Sequence, residues 1–172
     1  MRVIVWLVEG TWPACVDAVR THAPGASDVV LLHVSGPEVA DVAHGAFAGL
    51  LGRGHPRGHT PAGSWGSDPG DRLTDLGGTS AAELMDAAAA RLGGPCARME
   101  RTGRVEREVV AAAEGADLLV LARDGDRAGL GPHSLGPAAR FVVDHAPCPV
   151  LLVWPEAAPG LATLPPPPPH HH

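Results

Sequence analysis

The stretch from Asp117 to Val153, DLLVLARDGDRAGLGPHSLGPAARFVVDHAPCPVLLV, contains two apolar runs with a glycine-rich loop and a helical pattern between them. DLLVLA and PVLLV are short and do not alternate with polar residues, which is typical of strands buried on both faces of a parallel sheet. The Gly-Pro pair between the loop and the helical pattern is a common helix start. The stretch therefore predicts one strand–helix–strand unit whose loop lies at the carboxyl edge of a sheet.

The same alternation extends toward the N-terminus. VIVWLVE and SDVVLLHV predict two buried strands, and CARMERTG predicts a third, polar strand near a sheet edge. The helices are expected after Thr11, over Pro37–Leu51, from the capping box at Ser80 to Leu92, over Arg104–Glu114 and over Pro137–His145. The predicted fold is a doubly wound α/β domain with a five-stranded parallel sheet and helices on both faces, as in Rossmann-like proteins.

The domain organisation follows from composition. Residues 1–154 predict one domain, interrupted at 52–78 by a segment that is rich in Gly, Pro, Ser, Asp and His and poor in apolar residues. We expect this insertion to be flexible, because it cannot bury enough apolar surface to offset its ordering. Residues 155–172 contain a proline run and predict a disordered tail.

Charge and composition exclude several function classes. The net charge of −6 argues against nucleic acid as a partner. No apolar run approaches the length of a membrane helix, and the apolar N-terminus is too short for a signal peptide, so we expect a cytoplasmic protein. The chain has no lysine, which excludes a P-loop lysine and Schiff-base chemistry.

Two groups of side chains are considered as functional sites: three histidines as metal ligands, and an Asp-His pair with a nearby cysteine as catalytic residues. We assign neither function. His55 and His59, considered together with His44, lie in GRGHPRGH, a segment with no nearby carboxylate and no helical frame, so we assign no metal site. Asp144-His145 precedes Cys148 and resembles a base–nucleophile pair. Cys148 stands between two prolines at a strand start, where packing is the better interpretation. We therefore predict no catalytic residue and no enzyme.

The loop after DLLVLA has features for and against an anion site. A helix N-terminus at this edge offers N–H groups and the positive end of its dipole. Positive charge would come from Arg123, Arg127, His133 and Arg140, and a hydroxyl from Ser134. Against this, Pro137 removes one N–H from the first turn. The loop either binds an anion weakly or simply starts a helix.

The C-terminal third resembles the universal stress protein family. The resemblance rests on three segments: GRVEREVVAAAEGADLLV, ADLLVLARDG and LGPAARFVVDHAPCPVLLV. It extends, more weakly, through VEGT and LLHV to cover residues 1–154 apart from the insertion. The family implies small cytoplasmic α/β proteins, usually dimers, some of which bind ATP or AMP. Its last strand lies at the sheet edge, which implies a homodimer through Val150 to Trp154.

The family's nucleotide binders carry Gly-x2-Gly-x9-Gly followed by Ser or Thr. The matching positions here are Ala122, Gly125, Gly136 and Pro137, with a spacer one residue longer. The resemblance thus implies a degenerate nucleotide site that consists of Glu9, Val34, Ala122, Arg123, Gly125, Arg127, Gly136, Pro137 and Ala138.

The sequence supports two main functions. The first is a stress-type regulatory or protective protein that binds ATP or AMP weakly and has no other cofactor. The second is a dimeric adaptor that binds no nucleotide. A hydrolase that uses the crevice is a third, weaker alternative.

Overall fold

Five parallel strands form one sheet in the computed structural model, which describes residues 1–37 and 69–168 of the chain (the backbone alone for 69–79). The strands are β1 (Arg2–Trp6), β2 (Asp28–Ser35), β3 (Ala97–Thr102), β4 (Leu118–Ala122) and β5 (Val150–Val153). Their order is β3-β2-β1-β4-β5, and every pairing is parallel. The predicted α/β fold class is confirmed.

Helices pack on both faces of the sheet. Within the described residues they are α1 (Trp12–His22), α2 (Pro69–Leu92), α3 (Val105–Ala112) and α4 (Pro137–His145). No helix among these residues is long and apolar enough to cross a membrane. Successive side chains of a strand point to opposite faces, so β1 contributes to two separate apolar layers. The layer with α1 and α2 includes Val3, Val5, Cys15, Val16, Leu84 and Met85, and the layer with α3 and α4 includes Ile4, Trp6, Val109, Ala112, Ala139 and Val142.

The helix expected from Ser80 begins earlier than predicted, at Pro69. Its C-terminal half is anchored on the sheet by Leu84, Met85 and Ala88. Once a packed half exists, adding residues to the helix needs no new nucleus and costs only their modest intrinsic propensities. The start at Pro69 also moves the last part of the predicted insertion, 69–78, into a helix. The rest of that insertion and the helix expected at Pro37–Leu51 lie outside the described residues, apart from Pro37 itself.

The two edges of the sheet differ in chemistry. β3 lies at one edge, as its polar sequence predicts, and exposes Arg98, Glu100 and Thr102. The side chain of Arg98 pairs with Asp86 of α2. β5 lies at the other edge and consists of four half-buried apolar residues. The sheet therefore has one charged edge and one apolar edge.

The order of the strands places the site. β1 is flanked by β2 on one side and by β4 on the other, so the chain reverses its direction of winding at β1. Ligands of open α/β sheets bind beyond the carboxyl ends of the strands at this point. Here the switch brings the turn that follows β1 beside the loop that follows β4.

Candidate functional site

The candidate site lies at the carboxyl ends of β1 and β4. After β1 the chain turns tightly, since the N–H groups of Thr11 and Trp12 both donate to the carbonyl of Val8, at 3.2 and 3.0 Å. Gly10 has a φ of +85°, in the left-handed region that favours glycine. Glu9 lies in this turn and is exposed. It follows the carboxyl end of β1, and its contact with a nucleotide stays a prediction.

The segment from Arg123 to Leu135, which we call the β4–α4 loop, folds back on itself. The N–H of Gly125 donates to the Ser134 carbonyl at 2.9 Å, and the N–H of Asp126 donates to the His133 carbonyl at 2.8 Å. A Cβ at Gly125 would lie 2.3 Å from the His133 carbonyl oxygen. No side chain fits there without moving backbone, so Gly125 serves the internal closure of the loop.

The N-terminus of α4 is occupied by a carboxylate from the same loop. The N–H of Gly136 donates to Oδ1 of Asp124 at 2.7 Å in a partly buried position. Gly136 is the residue before α4, and Pro137 at the helix start has no N–H. The helix dipole favours a negative charge at this end. The carboxylate of Asp124 therefore lies at the end of α4 that favours negative charge.

Arg123 supports the closed loop from inside. Its Nη1 donates to Oγ of Ser134, and Ser134 Oγ donates to the Gly131 carbonyl at 2.7 Å. The guanidinium carbon of Arg123 lies 4.6 Å from the centre of the Trp154 ring, a cation–π contact. Ser134 is fully buried. The expectation that the Ser134 hydroxyl reaches a ligand is wrong, because both of its hydrogen bonds stay within the loop.

The other two arginines near the loop are also engaged. Nε of Arg127 lies 2.6 Å from Oε1 of Glu156, which follows β5. Nη2 of Arg140, on α4, donates to the Pro132 carbonyl at 2.6 Å. Their positive charge is thus close to the loop, as predicted, but each guanidinium already holds a protein oxygen.

The predicted site residues divide into two groups. The structure brings together those that lie in or beside the β4–α4 loop: Ala122, Arg123, Gly125, Arg127, Gly136, Pro137 and Ala138. Val34, for which the resemblance implies a backbone contact, lies near the carboxyl end of β2 and pairs with Arg101 of β3. Its side chain belongs to the core. Sequence analysis did not single out Asp124. The available signal was an acidic residue next to the loop glycine, upstream of a helix start that favours negative charge.

The structure describes part of the two groups of side chains considered for metal binding and for catalysis. Within the described ranges no three His, Cys, Asp or Glu side chains form a metal-binding cluster. His44, His55 and His59 lie outside them. His145 Nδ1 is 2.8 Å from the Phe141 carbonyl, and its ring stacks on that of Phe141. Burial raises the pKa of the Cys148 thiol, and the charge of Asp117 adds to this, so the thiol is held protonated.

A cavity of about 260 Å³ lies at the opposite, amino-terminal edge of the sheet. Its walls come from the C-terminal ends of α1 and α2 and from the start of β2, with Arg20, Val29 and Leu92 among them. Ligand sites of this fold lie at the carboxyl edge, so we give the loop more weight than this cavity.

Comparison with protein families decides the assignment. The model of the universal stress protein family matches residues 9–153. The chain belongs to the universal stress protein family. The resemblance that the sequence suggested is thereby confirmed. The match ends at Val153, so Glu156, which pairs with Arg127, follows the part that this universal stress protein shares with its family.

Solved structures share the fold at low identity. Hypothetical protein MJ0577 is 18% identical with a TM-score of 0.62, and the alignment covers 91% of this chain and 98% of that one. A universal stress protein family protein from Arabidopsis thaliana with AMP bound is 17% identical with a TM-score of 0.54, covering 91% and 93%. A universal stress protein in complex with cAMP is 17% identical with a TM-score of 0.51, covering 90% and 98%. Among curated proteins, no sequence matches the chain significantly.

Proposed function

We propose that this universal stress protein is a non-catalytic regulatory protein of the cytoplasm whose adenine-nucleotide site binds ATP or AMP weakly. The observation that carries the proposal is the hydrogen bond between Asp124 and the N–H of Gly136. It puts a carboxylate of the protein at the helix start where a nucleotide phosphate would bind.

The fold supports a nucleotide at this edge. The β4–α4 loop lies at the switch point of a parallel sheet, and proteins of the same fold have been solved with AMP and with cAMP. The N–H groups of Ala138 and Ala139 have no acceptor inside α4, because the first turn of a helix lacks preceding carbonyls. Among the described residues, these two groups and the exposed Glu9 are available to a nucleotide.

The charge of Asp124 sets the limit on affinity. Two negative charges about 4 Å apart repel by roughly 4 kcal/mol near a protein surface. That corresponds to a loss of about a thousandfold in affinity. A phosphate that displaces Asp124 avoids the repulsion, but it must replace a hydrogen bond to a charged group that is worth roughly 1.5–3 kcal/mol. Because Pro137 has no N–H, it donates no hydrogen bond to the phosphate that could offset either cost.

The second candidate function is an adaptor that binds no nucleotide. It is favoured by the internal hydrogen bonds of Gly125, Asp126 and Ser134, which close the loop on itself without a ligand and leave only Nε of Arg123 buried without a partner among the described residues. In either case we propose a homodimer that uses the apolar edge strand β5 and Trp154. The unpaired backbone at that edge is a template for a second strand.

The decisive experiment is calorimetric titration of the full chain with ATP, AMP and cAMP at constant salt, with product analysis after each run. We expect dissociation constants weaker than about 100 µM for ATP, no turnover, and tighter binding in Asp124→Ala. Submicromolar ATP binding by the unmodified chain contradicts the degenerate site. If neither the unmodified chain nor Asp124→Ala binds any of the three nucleotides, the adaptor function is correct.

A further inference from the structure

The segment from Pro155 to Thr163, which we call the tail segment, lies against the β4–α4 loop. Sequence analysis predicts disorder from Pro155 onward, whereas the structure gives this segment a turn of 3-10 helix over Leu161–Thr163 and specific contacts. The family model ends at Val153, so these contacts come from a part of the chain that follows the shared domain.

The first contact joins the N-terminal part of the tail segment to Arg127. Nε of Arg127 lies 2.6 Å from Oε1 of Glu156. The side chain of Arg127 is 30% exposed and that of Glu156 is 54% exposed. An ion pair this open to solvent is weak, so it holds the guanidinium reversibly. While it is formed, the carboxylate of Glu156 occupies a donor of Arg127 that an external anion would need.

The second contact joins the C-terminal end of the tail segment to Leu130. The N–H of Leu130 donates to Oγ1 of Thr163 at 3.0 Å. Oγ1 of Thr163 in turn donates to the Gly160 carbonyl at 2.7 Å. Since a hydroxyl has a single proton, that second bond orients the Thr163 oxygen as an acceptor toward Leu130. The 3-10 turn thus presents the hydroxyl in the one orientation that binds the loop.

The loop also lies against this turn at Gly129. A Cβ at Gly129 would lie 3.6 Å from Cβ and from the carbonyl oxygen of Thr163, at van der Waals distance. The two contacts on the loop, at Arg127 and Leu130, are three residues apart, and the two on the tail segment, at Glu156 and Thr163, are seven apart. The tail segment therefore contacts the loop at two separate points.

We infer that the tail segment is an intramolecular strap that holds the β4–α4 loop closed and screens Arg127 from anionic ligands. The inference rests on the proposed function and adds its regulation. Release of the strap exposes the Arg127 guanidinium, whose geometry suits a phosphate as well as the carboxylate it now holds. The ligand that gains from release is therefore a phosphate-bearing nucleotide.

The strap has a direct readout in the amide of Leu130. Because this N–H is protected by Thr163, we expect its hydrogen exchange, followed by NMR, to become about five- to tenfold faster in Thr163→Val. Thr21→Val is the matched control, since Thr21 bonds only to the Asp17 carbonyl within α1. We expect it to leave Leu130 unchanged. Unchanged exchange at Leu130 in Thr163→Val overturns the strap, whatever the nucleotide affinity.

The inhibitory role is tested by ATP titration of the double variant Glu156→Gln with Thr163→Val in the full chain. We expect it to bind ATP at least about threefold more tightly than the unmodified chain. Glu114→Gln changes an exposed acid in the turn that follows α3 and controls for the change in net charge. Faster exchange at Leu130 with equal ATP affinity in both chains overturns the inhibitory role.

The failure of the strap and the failure of the proposed function give different results. If no variant binds ATP, Asp124→Ala included, while Leu130 exchanges faster in Thr163→Val, the nucleotide site is wrong and the strap is supported as a structural clamp of the loop. If Asp124→Ala binds ATP and Leu130 exchange does not respond to Thr163→Val, the site is supported and the strap is wrong.

Discussion

Asp124 and Gly136 stand twelve positions apart, and the 2.7 Å hydrogen bond between them joins the end of β4 to the start of α4. The space beside Gly136 is matched to this contact, since a Cβ there would lie 2.9 Å from Oδ1 of Asp124. One carboxylate thus closes the loop onto the start of α4 and adds negative charge beside the positive end of the helix dipole.

We expect removal of the Asp124 carboxylate to weaken the fold and to strengthen ATP binding. We expect Asp124→Ala to lower the free energy of unfolding by about 1–2 kcal/mol, because it removes a cap at a helix start. We also expect ATP binding to tighten by at least about tenfold, which requires ~1.4 kcal/mol. Denaturant unfolding and calorimetry measure the two effects. Asp126→Ala is the control, because the side chain of Asp126 accepts from the exposed N–H of Ala128 in the same loop and does not contact the start of α4. If both variants behave alike, Asp124 has no special role.

Pro137 offers a second way to improve the site. Pro137→Ser supplies an N–H and a hydroxyl at the start of α4, both beside the phosphate position. We expect ATP affinity to rise about tenfold only when Asp124 is also replaced, because the carboxylate otherwise takes the new donors. Calorimetry of the two single variants and the double variant measures this coupling. Additive effects of the two changes would show that Asp124 and Pro137 do not act on the same anion.

The buried thiol of Cys15 should make the folded protein less stable at alkaline pH. Burial raises the pKa of its thiol from 9.0 to about 12. Between those values the unfolded chain has released a proton that the folded chain keeps. The free energy of unfolding therefore falls as pH rises from 9 toward 12, by up to about 1.4 kcal/mol for each pH unit. The chain has no lysine and no tyrosine to mask this effect.

Denaturant unfolding at pH 8, 9, 10 and 11 measures this slope. We expect Cys15→Ala to remove most of it, with a smaller part remaining from Cys148, whose pKa is also raised. Cys96→Ala is the control and should retain the slope of the unmodified chain. A slope that is the same in Cys15→Ala and in the unmodified chain contradicts this account.

The proposed dimer can be tested at the backbone of β5. The carbonyls of Pro149 and Val153 accept hydrogen bonds on the side of β4. Successive residues of a strand point their N–H and C=O groups to opposite sides. The N–H of Leu152 therefore faces the open edge. We expect Leu152→Pro to give a monomer by light scattering, because it removes an edge donor and leaves the pairing with β4 intact. Leu152→Ala loses the same side-chain packing and should remain a dimer. A monomeric unmodified chain at micromolar concentration contradicts the dimer.

The sequence predicts the framework well because apolar pattern and burial are directly related. DLLVLA reads as a buried strand, and β4 is buried along nearly its whole length. The charged CARMERTG segment reads as an edge strand, and β3 lies at an edge. Each of these predictions depends only on which side chains a short segment can bury.

The features that the sequence did not reveal are contacts between distant segments. Nothing in the pattern pairs Asp124 with Gly136 or Thr163 with Leu130, because such hydrogen bonds depend on where the folded backbone places each group. The start of α2 was missed for a related reason. The glycines and proline before Ser80 predict a loop by propensity, and the packing of Leu84 and Met85 on the sheet outweighs that preference.

The unequal edges of the sheet limit the size of any assembly built from it. If both outer strands were apolar, each chain could accept a neighbour on either side, and the chains would polymerise into filaments. The charged side chains of Arg98 and Glu100 on β3 oppose such addition at one side. In the proposed dimer, growth through β5 alone would end once two copies met about a twofold axis, so we expect a pair and no larger assembly.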